Sequence, residues 1–182
     1  MKVRLSTFDN SWYRPGNPLK RILWYAFNRV FFMTSIPYPS ALKAALLRIF
    51  GARVGRGSVI KPRVSIKYPW FLEVGNHVWI GEGVWIDNLT KVTIASNVCL
   101  SQGAMLLCGN HDYTKSTFNL MASPISLEAG VWIGAKAIVC PGVCCKSHAI
   151  LTVGSVTAND LEAFGIYRGN PAVKIRDRKM DD

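Results

Sequence analysis

The sequence has no two cysteines at a spacing typical of a metal site or a disulfide. Its five cysteines contain no C-x-x-C motif, and the adjacent Cys144 and Cys145 suit neither a metal clamp nor an easy disulfide. Cys108 and Cys140 lie within apolar segments, where cysteine behaves as a small hydrophobic residue. We therefore expect a reduced, cytosolic protein.

Long apolar runs are also missing. The most apolar N-terminal stretch, residues 22–36, is interrupted by Asn28 and Arg29, whereas a membrane-spanning helix needs about 20 apolar residues. Residues 1–4 lead into polar residues and not into the apolar core of a secretory signal peptide. The sequence thus predicts neither a spanning helix nor a leader, which favours a cytoplasmic location.

Acidic residues are half as frequent as basic ones. The 11 Asp and Glu residues stand against 22 Lys and Arg residues, which gives a formal net charge of +11. Such an excess favours nucleic acid, acidic membranes or phosphorylated small molecules as partners, although a solvated basic surface has the same composition. The 182 residues predict one domain, and a hydrophobic content of 49% allows a large core.

The N-terminal part predicts an irregular arm followed by two helices. Turn-forming and aromatic residues dominate residues 1–18, so we expect little regular structure there. Apolar spacing predicts one helix over residues 19–34 and a second that begins at Ser40, as its N-cap, and ends at Gly51. Both helices carry Lys and Arg, which suits an acidic membrane surface or a cap over the open end of a solenoid. We favour the cap.

From Val54 onward, apolar residues recur every six positions. A representative unit, Ile80-Gly81-Glu82-Gly83-Val84-Trp85, has an aliphatic residue, a small residue, two turn residues, a small inward residue and an outward one. Slips of two residues interrupt the period at Leu72-Glu73 and Val92-Thr93, and a longer loop interrupts it at about residues 112–123. A sustained period of six is typical of a parallel β-helix, and a β-sandwich is the less favoured alternative.

Six segments carry a family resemblance: Pro15-Gly16-Asn17, Arg48-Ile49-Phe50-Gly51-Ala52, Ile66-Lys67-Tyr68-Pro69-Trp70, Gly109-Asn110-His111-Asp112, Val131-Trp132-Ile133-Gly134 and Arg168-Gly169-Asn170-Pro171-Ala172. Together with the six-residue period, they resemble the hexapeptide acyltransferases, and in particular the colanic-acid-type exopolysaccharide O-acetyltransferases. The last three are also similar to segments of the galactoside and maltose acetyltransferases. The resemblance implies an all-β, left-handed parallel β-helix. It also implies a homotrimer with active sites between subunits, which transfers acetyl from acetyl-CoA to a sugar hydroxyl.

The resemblance assigns the general base to His111, and imidazole suits this task near neutral pH. His77 and His148 occupy turn positions of their units, which predicts solvated corners. A carboxylate or a carbonyl should orient the imidazole, and both the adjacent Asp112 and Asp87 stay open for a catalytic role. Asp87 matches an acceptor-contacting position that holds Asn in the sugar acetyltransferases. The expected acceptor contacts are Asp87, Asn110 and Tyr113.

For the acyl donor, the resemblance implies contacts to acetyl-CoA and no requirement for a metal. An aromatic residue lines the pantetheine channel, a backbone N–H meets the thioester oxygen, and basic residues bind the phosphates. The expected CoA-binding residues are Trp132, Gly134, Ala135, Gly154, Ser155, Arg168, Asn170, Lys174 and Arg176. A metal-dependent carbonic anhydrase of the same fold needs clustered histidines, whereas the three histidines here include no close pair.

The sequence therefore predicts three segments: an arm and helical cap over residues 1–53, the β-helix over 54–158 and a CoA-binding C-terminal segment over 159–182. We expect a cytoplasmic homotrimer that O-acetylates a saccharide in exopolysaccharide or surface-glycan synthesis and does not bind nucleic acid. Contact of the basic helices with lipid would add a peripheral location at the inner membrane face. A non-catalytic solenoid and an acyltransferase with an amine acceptor are the alternatives. Cys108 near His111 also raises a covalent mechanism, although the apolar ladder already explains this cysteine.

Overall fold

Nineteen short strands and two α-helices occur in residues 2–180, which are the residues that the computed structural model describes. Met1, Asp181 and Asp182 of the predicted terminal segments lie outside this range. The helices are α1 (Pro18–Phe27) and α2 (Ser40–Ile49); a π-helical turn follows α1 at Asn28–Phe32, and 3-10 turns occur at Leu5–Thr7 and Pro69–Phe71. In chain order, the strands are β1 (Arg53–Val54), β2 (Val59–Ile60), β3 (Ser65–Ile66), β4 (Leu72–Val74), β5 (Trp79–Ile80), β6 (Trp85–Asp87), β7 (Val92–Ile94), β8 (Cys99–Leu100), β9 (Met105–Leu107), β10 (Gly109–His111), β11 (Leu120–Ala122), β12 (Ile125–Leu127), β13 (Trp132–Ile133), β14 (Ile138–Val139), β15 (Cys144–Cys145), β16 (Ile150–Leu151), β17 (Val156–Thr157), β18 (Gly165–Gly169) and β19 (Ala172–Asp177).

The strands are shared among three sheets that form the three faces of a β-helix. The first sheet runs β1-β4-β7-β12-β15, the second β19-β18-β16-β13-β8-β5-β2, and the third β17-β14-β9-β6-β3. All pairs are parallel except the final pair, in which β19 returns antiparallel to β18. Strands β10 and β11 form a separate antiparallel hairpin that leaves the coil after β9. The predicted parallel β-helix with N-terminal helices and an excursion loop is confirmed.

Each coil stacks its inward side chains on those of the coil below. In the second sheet, the register aligns Ile60, Ile80, Leu100, Ile133 and Leu151 in one column, and none of them is more than 2% exposed. Burial of one such side chain contributes roughly 1.5–3 kcal/mol. Because every six-residue unit supplies one of these positions, the period of the sequence specifies the coil.

The first helix begins within one residue of the predicted start, but α1 ends at Phe27 and a π-helical turn replaces the rest of the helix predicted to reach residue 34. Asn17 caps α1, because its Oδ1 accepts hydrogen bonds from the N–H groups of Leu19 and Lys20 at 2.8 and 3.3 Å. The prediction that Ser40 is an N-cap is wrong: Ser40 is the first residue of α2, and its Oγ accepts from the Ile60 N–H at 3.0 Å. No helix within residues 2–180 has both the length and the apolarity to cross a bilayer.

Side chains of the two helices satisfy the open edge of the first coil. Arg48 Nη2 donates to the Val54 carbonyl of β1 at 2.8 Å. The fully buried Lys43 donates from Nζ to the last carbonyl of β2 at 3.3 Å, and burial lowers the pKa of this amine. Trp24 Nε1 donates to the last carbonyl of β3 at 2.8 Å. The helices therefore act as an end cap for all three sheets.

Candidate active site

A cleft of about 450 Å³ opens where the excursion hairpin leaves the coil. His111, Asn110 and Gly109 of β10 line one side, and Asp87 at the end of β6 lines another. The remaining walls come from the N-terminal arm, α1, the first coil, the turn after β6 and the start of β11: Phe8, Asn10, Tyr13, Pro15, Arg21, Lys67, Tyr68, Leu89 and Leu120. The fold thus brings three predicted site residues, His111, Asn110 and Asp87, into one cavity.

The His111 imidazole is held by the far side of its own loop. Its Nδ1 lies 3.0 Å from the carbonyl oxygen of Phe118, and the Phe118 ring stacks on it at 4.4 Å with an interplanar angle of 7°. Phe118 has a φ of 50°, a left-handed conformation that is uncommon for an aromatic residue. A carbonyl oxygen only accepts, so Nδ1 carries the hydrogen and Nε2 is left as the basic nitrogen.

Asp112 organises the loop and does not contact the imidazole. Its Oδ1 accepts from the Thr114 hydroxyl at 2.5 Å and from the Thr114 N–H at 3.1 Å, and Lys115 Nζ lies 3.3 Å from Oδ2. The Thr114 hydroxyl is the main cause of a lowered pKa for this carboxyl group. The sequence left open whether a carboxylate or a carbonyl orients the His111 imidazole. In the structure it is the Phe118 carbonyl that lies within hydrogen-bond distance of Nδ1.

Asp87 reaches the cleft from the coil beneath the hairpin. Its carboxylate is mostly buried, and Lys67 Nζ lies 3.1 Å from Oδ1 in an ion pair. A Cβ on Gly109 would stand 2.5 Å from Leu89 Cδ1 and 3.6 Å from Asp87 Oδ2, so the glycine makes room for the Leu89 side chain beside this carboxylate. One oxygen of Asp87 is therefore paired with Lys67 in the wall of the cleft.

The N-terminal arm forms a wall of the cleft that the sequence did not predict. The Arg4 N–H donates to the Ser116 carbonyl of the hairpin at 2.8 Å, and the Phe8 ring lies 5.8 Å from the His111 ring. Tyr13 donates its hydroxyl to the Leu89 carbonyl at 2.6 Å, and burial raises the pKa of this phenol. The only feature of the sequence that pointed to a role for this arm was its aromatic content, in a segment that has neither helical nor six-residue spacing.

Tyr113, the third predicted acceptor contact, lies on the loop outside the cleft. Its side chain is 77% exposed, and it is absent from the lining of the cavity within residues 2–180. His77 and His148 sit at corners with φ values of 55° and 61°. The His77 corner is exposed as predicted, whereas the His148 ring stacks on Phe164 at 4.8 Å.

The residues predicted to meet the thioester lie on the second sheet. Trp132 is 45% exposed on its outer surface, and its Nε1 donates to Ser101 Oγ at 2.9 Å. The Gly134 N–H donates to the Leu151 carbonyl of the next coil at 2.7 Å, so it is already used in stacking. Within residues 2–180 the Ala135 N–H has no acceptor. Of the two predicted backbone donors, the free one is that of Ala135.

The turn after β16 holds two further residues predicted to bind CoA. Ser155 is 1% exposed, and its Oγ accepts from the Gly169 N–H at 3.0 Å, which ties the last coil to β18. Gly154 has a φ of +65° and no heavy atom within 4 Å of an added Cβ. Asn170 is exposed in the turn between β18 and β19. Gly154 and Asn170 are thus accessible, whereas the Ser155 hydroxyl has a structural partner.

The basic residues of the β18–β19 hairpin differ in their availability to phosphates. Lys174 Nζ pairs with Glu162 at 2.8 Å and with Asp177 at 2.9 Å, and the hydrogen bond to Glu162 is the main cause of its raised pKa. Arg168 and Arg176 are exposed and form no ion pair within residues 2–180. None of the residues predicted to bind CoA lines the His111 cleft of the same described chain.

Comparison with known proteins identifies the family. No family model matches the chain. However, this chain is 36% identical over 166 residues to the "Putative colanic acid biosynthesis acetyltransferase WcaF" of Escherichia coli K12, and the match covers 91% of both chains. The chain belongs to the hexapeptide-repeat acetyltransferase family. The galactoside O-acetyltransferase of the same organism is 25% identical to it over 169 residues, which cover 89% of this chain and 81% of that one.

Solved structures of acetyltransferases share the fold. A hexapeptide-repeat-containing acetyltransferase from Vibrio cholerae, complexed with acetyl coenzyme A, matches this acetyltransferase with a TM-score of 0.79 at 21% identity, over 89% of this chain and 88% of that one. A galactoside acetyltransferase in complex with coenzyme A matches with a TM-score of 0.78 at 23% identity, over 88% and 81% of the two chains. At this identity the likeness shows the fold alone.

A covalent cysteine does not suit the geometry of this acetyltransferase. Cys108 is fully buried, and burial raises the pKa of its thiol to about 11, so the nucleophilic thiolate is rare at neutral pH. We expect Cys108→Ser to retain most of the acetyl-transfer activity, because its role is packing. Steady-state transfer rates check this. An acetylated Cys108 peptide in the mass spectrum of the wild type after acetyl-CoA treatment would contradict it.

Proposed function

We propose that this acetyltransferase moves the acetyl group of acetyl-CoA to a hydroxyl of a saccharide in exopolysaccharide or surface-glycan synthesis. The observation that carries the proposal is the His111 imidazole in a polar cleft, with its proton fixed on Nδ1 by the Phe118 carbonyl. The named roles of WcaF and galactoside O-acetyltransferase support the choice of a sugar acceptor. Because acetyl-CoA would be the donor, the reaction would take place in the cytoplasm.

In the proposed reaction, Nε2 of His111 takes the proton of the acceptor hydroxyl while the hydroxyl oxygen attacks the thioester carbonyl carbon. The resulting tetrahedral oxyanion accepts a hydrogen bond from the Ala135 N–H of a neighbouring copy, because Ala135 lies outside the His111 cleft of its own chain. Collapse of this intermediate breaks the carbon–sulfur bond, and the departing CoA thiolate receives the proton from the imidazolium. The transfer is direct, with no acyl-enzyme and no metal.

We also propose a homotrimer, because two of the three solenoid faces are apolar on the outside. The outward column of the first sheet is polar: Arg53, Glu73, Thr93 and Ser126. The column of the second sheet is Val59, Trp79, Cys99 and Trp132, and that of the third contains Trp85, Met105 and Ile138. Contact between the second sheet of one copy and the third of another would cover both faces. It would also bring the Trp132 surface of one copy towards the His111 cleft of its neighbour, where Tyr113 could meet the acceptor.

The test of the proposed function is thiol release from acetyl-CoA with a panel of mono- and oligosaccharides and a matched panel of amino sugars and amines. The controls are His111→Ala and His148→Ala, which change a cleft histidine and a corner histidine. Saccharide-dependent release that His111→Ala abolishes and His148→Ala retains is the expected result. Release with amines alone would replace the O-acetyltransferase with an N-acyltransferase. No release and no CoA binding in a thermal-shift assay would indicate a non-catalytic solenoid.

Asp87 and Asp112 provide a matched pair of carboxylates. We expect Asp87→Ala to lower kcat/KM for the acceptor by roughly 10- to 100-fold, the equivalent of one hydrogen bond to a charged group. Asp112→Ala should change kcat/KM for the acceptor less than Asp87→Ala does, because the Asp112 side chain bonds to Thr114 and Lys115 and does not line the cleft in the described part of the chain. Kinetics with saturating acetyl-CoA and varied acceptor measure both. Equal losses in the two variants would remove Asp87 from the proposed acceptor site.

A further inference from the structure

The excess positive charge of the chain is concentrated at one end of the solenoid. Residues 1–72 contain 13 of the 22 Lys and Arg residues and only one acidic residue, Asp9, for a net charge of +12. The remaining residues contain 9 basic and 10 acidic side chains, for a net charge of −1. Residues 1–72 supply the arm, the two helices and the first coil; the helices cap the first coil, and the described part of the arm crosses to the excursion hairpin. The capped end is therefore strongly cationic, and the rest of the chain is close to neutral.

Helix α1 adds an apolar surface to this cationic end. Trp24 and Asn28 face the coil and are buried, whereas Leu19, Leu23 and Val30 on the opposite side are 65%, 47% and 53% exposed. With the exposed Ala26, they form a line at four-, three- and four-residue spacing that runs along α1 into the π-helical turn after it, and we call this line the outer stripe of α1: Leu19, Leu23, Ala26 and Val30. An apolar stripe on the solvent side of a helix is what an interfacial helix presents to a bilayer.

The cations near the stripe are only partly neutralised. In the first coil, Arg53, Arg63 and Lys67 pair with acidic residues of the second coil at 3.3, 3.7 and 3.1 Å. On α1, Lys20 stacks its ammonium over the Trp70 ring at 4.7 Å, and in the π-helical turn that follows, Arg29 is exposed. Within residues 2–180 neither cation has a carboxylate partner. The stripe is thus bordered by cations that an anionic surface would pair.

We propose that the outer stripe of α1 and the cations around it dock this protein on the surface of an anionic lipid bilayer. A second copy fits poorly, because pairing two such ends would bring together two surfaces that both carry an excess of positive charge. Nucleic acid would pair with the cations but would leave the exposed leucine and valine side chains without apolar partners. A bilayer with anionic headgroups matches both features, since it offers acyl chains to the stripe and negative charge to Arg29 and Lys20.

Docking through α1 would bring the His111 cleft close to the membrane. An apolar groove of about 880 Å³ runs beside α1, lined by Ile22, Tyr25, Met33 and Trp85 among others. This groove shares four lining residues with the His111 cleft: Arg21, Lys67, Tyr68 and Asp87. The docked protein would thus present its acceptor site to molecules held at the bilayer surface. The docking surface itself is independent of the proposed acetyl transfer.

Vesicle flotation tests the proposal without any substrate. The full chain is mixed with phosphatidylcholine vesicles that contain or lack phosphatidylglycerol, at low and high salt, and the floated fraction is measured. We expect flotation only with phosphatidylglycerol, and less of it at high salt. The double variant Leu23→Ser/Val30→Ser and the variant Arg29→Glu should each lower the partition coefficient by about tenfold. The matched controls Val173→Ser and Lys146→Glu, at exposed positions beyond the first coil, should float like the wild type.

Two results would overturn the proposal. The first is flotation that is absent in the wild type, equal with both vesicle types, or unchanged in both α1 variants. The second is a change of oligomeric state in Leu23→Ser/Val30→Ser, measured by sedimentation without vesicles, because the stripe would then be an interface between copies. No acetyl-CoA or acceptor is present, so a failure of the proposed acetyl transfer leaves this result unaffected.

Discussion

Replacement of His111 by alanine is expected to lower kcat by about 10² to 10⁴, the usual contribution of a general base. Without the imidazole, the acceptor hydroxyl must lose its proton to water during its attack on the thioester. CoA binding should be nearly unchanged, since the residues expected to bind CoA lie outside the His111 cleft of the same chain. Steady-state kinetics and CoA titration of the same protein separate the two effects.

His148→Ala is the matched control for this prediction, because it removes a corner histidine that stacks on Phe164. It should retain the wild-type kcat. A His111→Ala enzyme with unchanged kcat would remove His111 from the mechanism. A loss of CoA binding equal to the loss of kcat would instead indicate a disturbed hairpin, since Phe118 both stacks on the imidazole and accepts its Nδ1 hydrogen.

Gly81→Ala is expected to destabilise the solenoid by about 3 kcal/mol, at the upper end of the usual cost of overpacking. A Cβ at this position would lie 2.8 Å from the Leu100 carbonyl oxygen and 2.9 Å from the Gln102 nitrogen. These atoms are backbone of the next coil, so neither can move without parting the two coils. For a chain of this size, the loss corresponds to a melting temperature lower by about 10 °C. Thermal unfolding at a fixed protein concentration measures it.

Gly83→Asn provides the control within the same unit. Gly83 has a φ of +70°, and the nearest atom to an added Cβ is 3.9 Å away. Asn97 occupies the fourth position of its own unit with a φ of 61°, so this corner accepts asparagine. Gly83→Asn should melt close to the wild type. If Gly81→Ala did so too, the coils would be free to separate there, and close stacking would not explain the glycine.

The coil was predictable because its cause is local. An aliphatic residue such as Ile80 or Ile86 recurs every six positions, and successive occurrences bury one side chain each in the columns of successive sheets. His111 was also within reach, since it ends the ladder and lies in a segment with a family resemblance. The sequence could therefore predict the positions whose packing partners are fixed by the six-residue repeat.

The remaining features depend on contacts between distant segments. The carbonyl that orients His111 belongs to Phe118, across a hairpin whose turn is set by Asp112 and Thr114. The Phe8 wall depends on where an irregular arm crosses the hairpin. Ser40 was predicted to be an N-cap because serine is common at that position, but its hydroxyl accepts a hydrogen bond from the N–H of Ile60, twenty residues away. No local spacing encodes these pairings, so the sequence alone could not supply them.

The side chains that cover the first coil also prevent further strands from adding to that end of the solenoid. A stack of parallel strands with a bare edge is a seed for fibril growth, because its free carbonyls and N–H groups template the next strand. Arg48, Lys43 and Trp24 occupy those carbonyls, and Ser40 occupies an N–H. Elongation from this end is therefore blocked chemically as well as sterically. Duplication of an internal coil would lengthen the particle without exposing that seed.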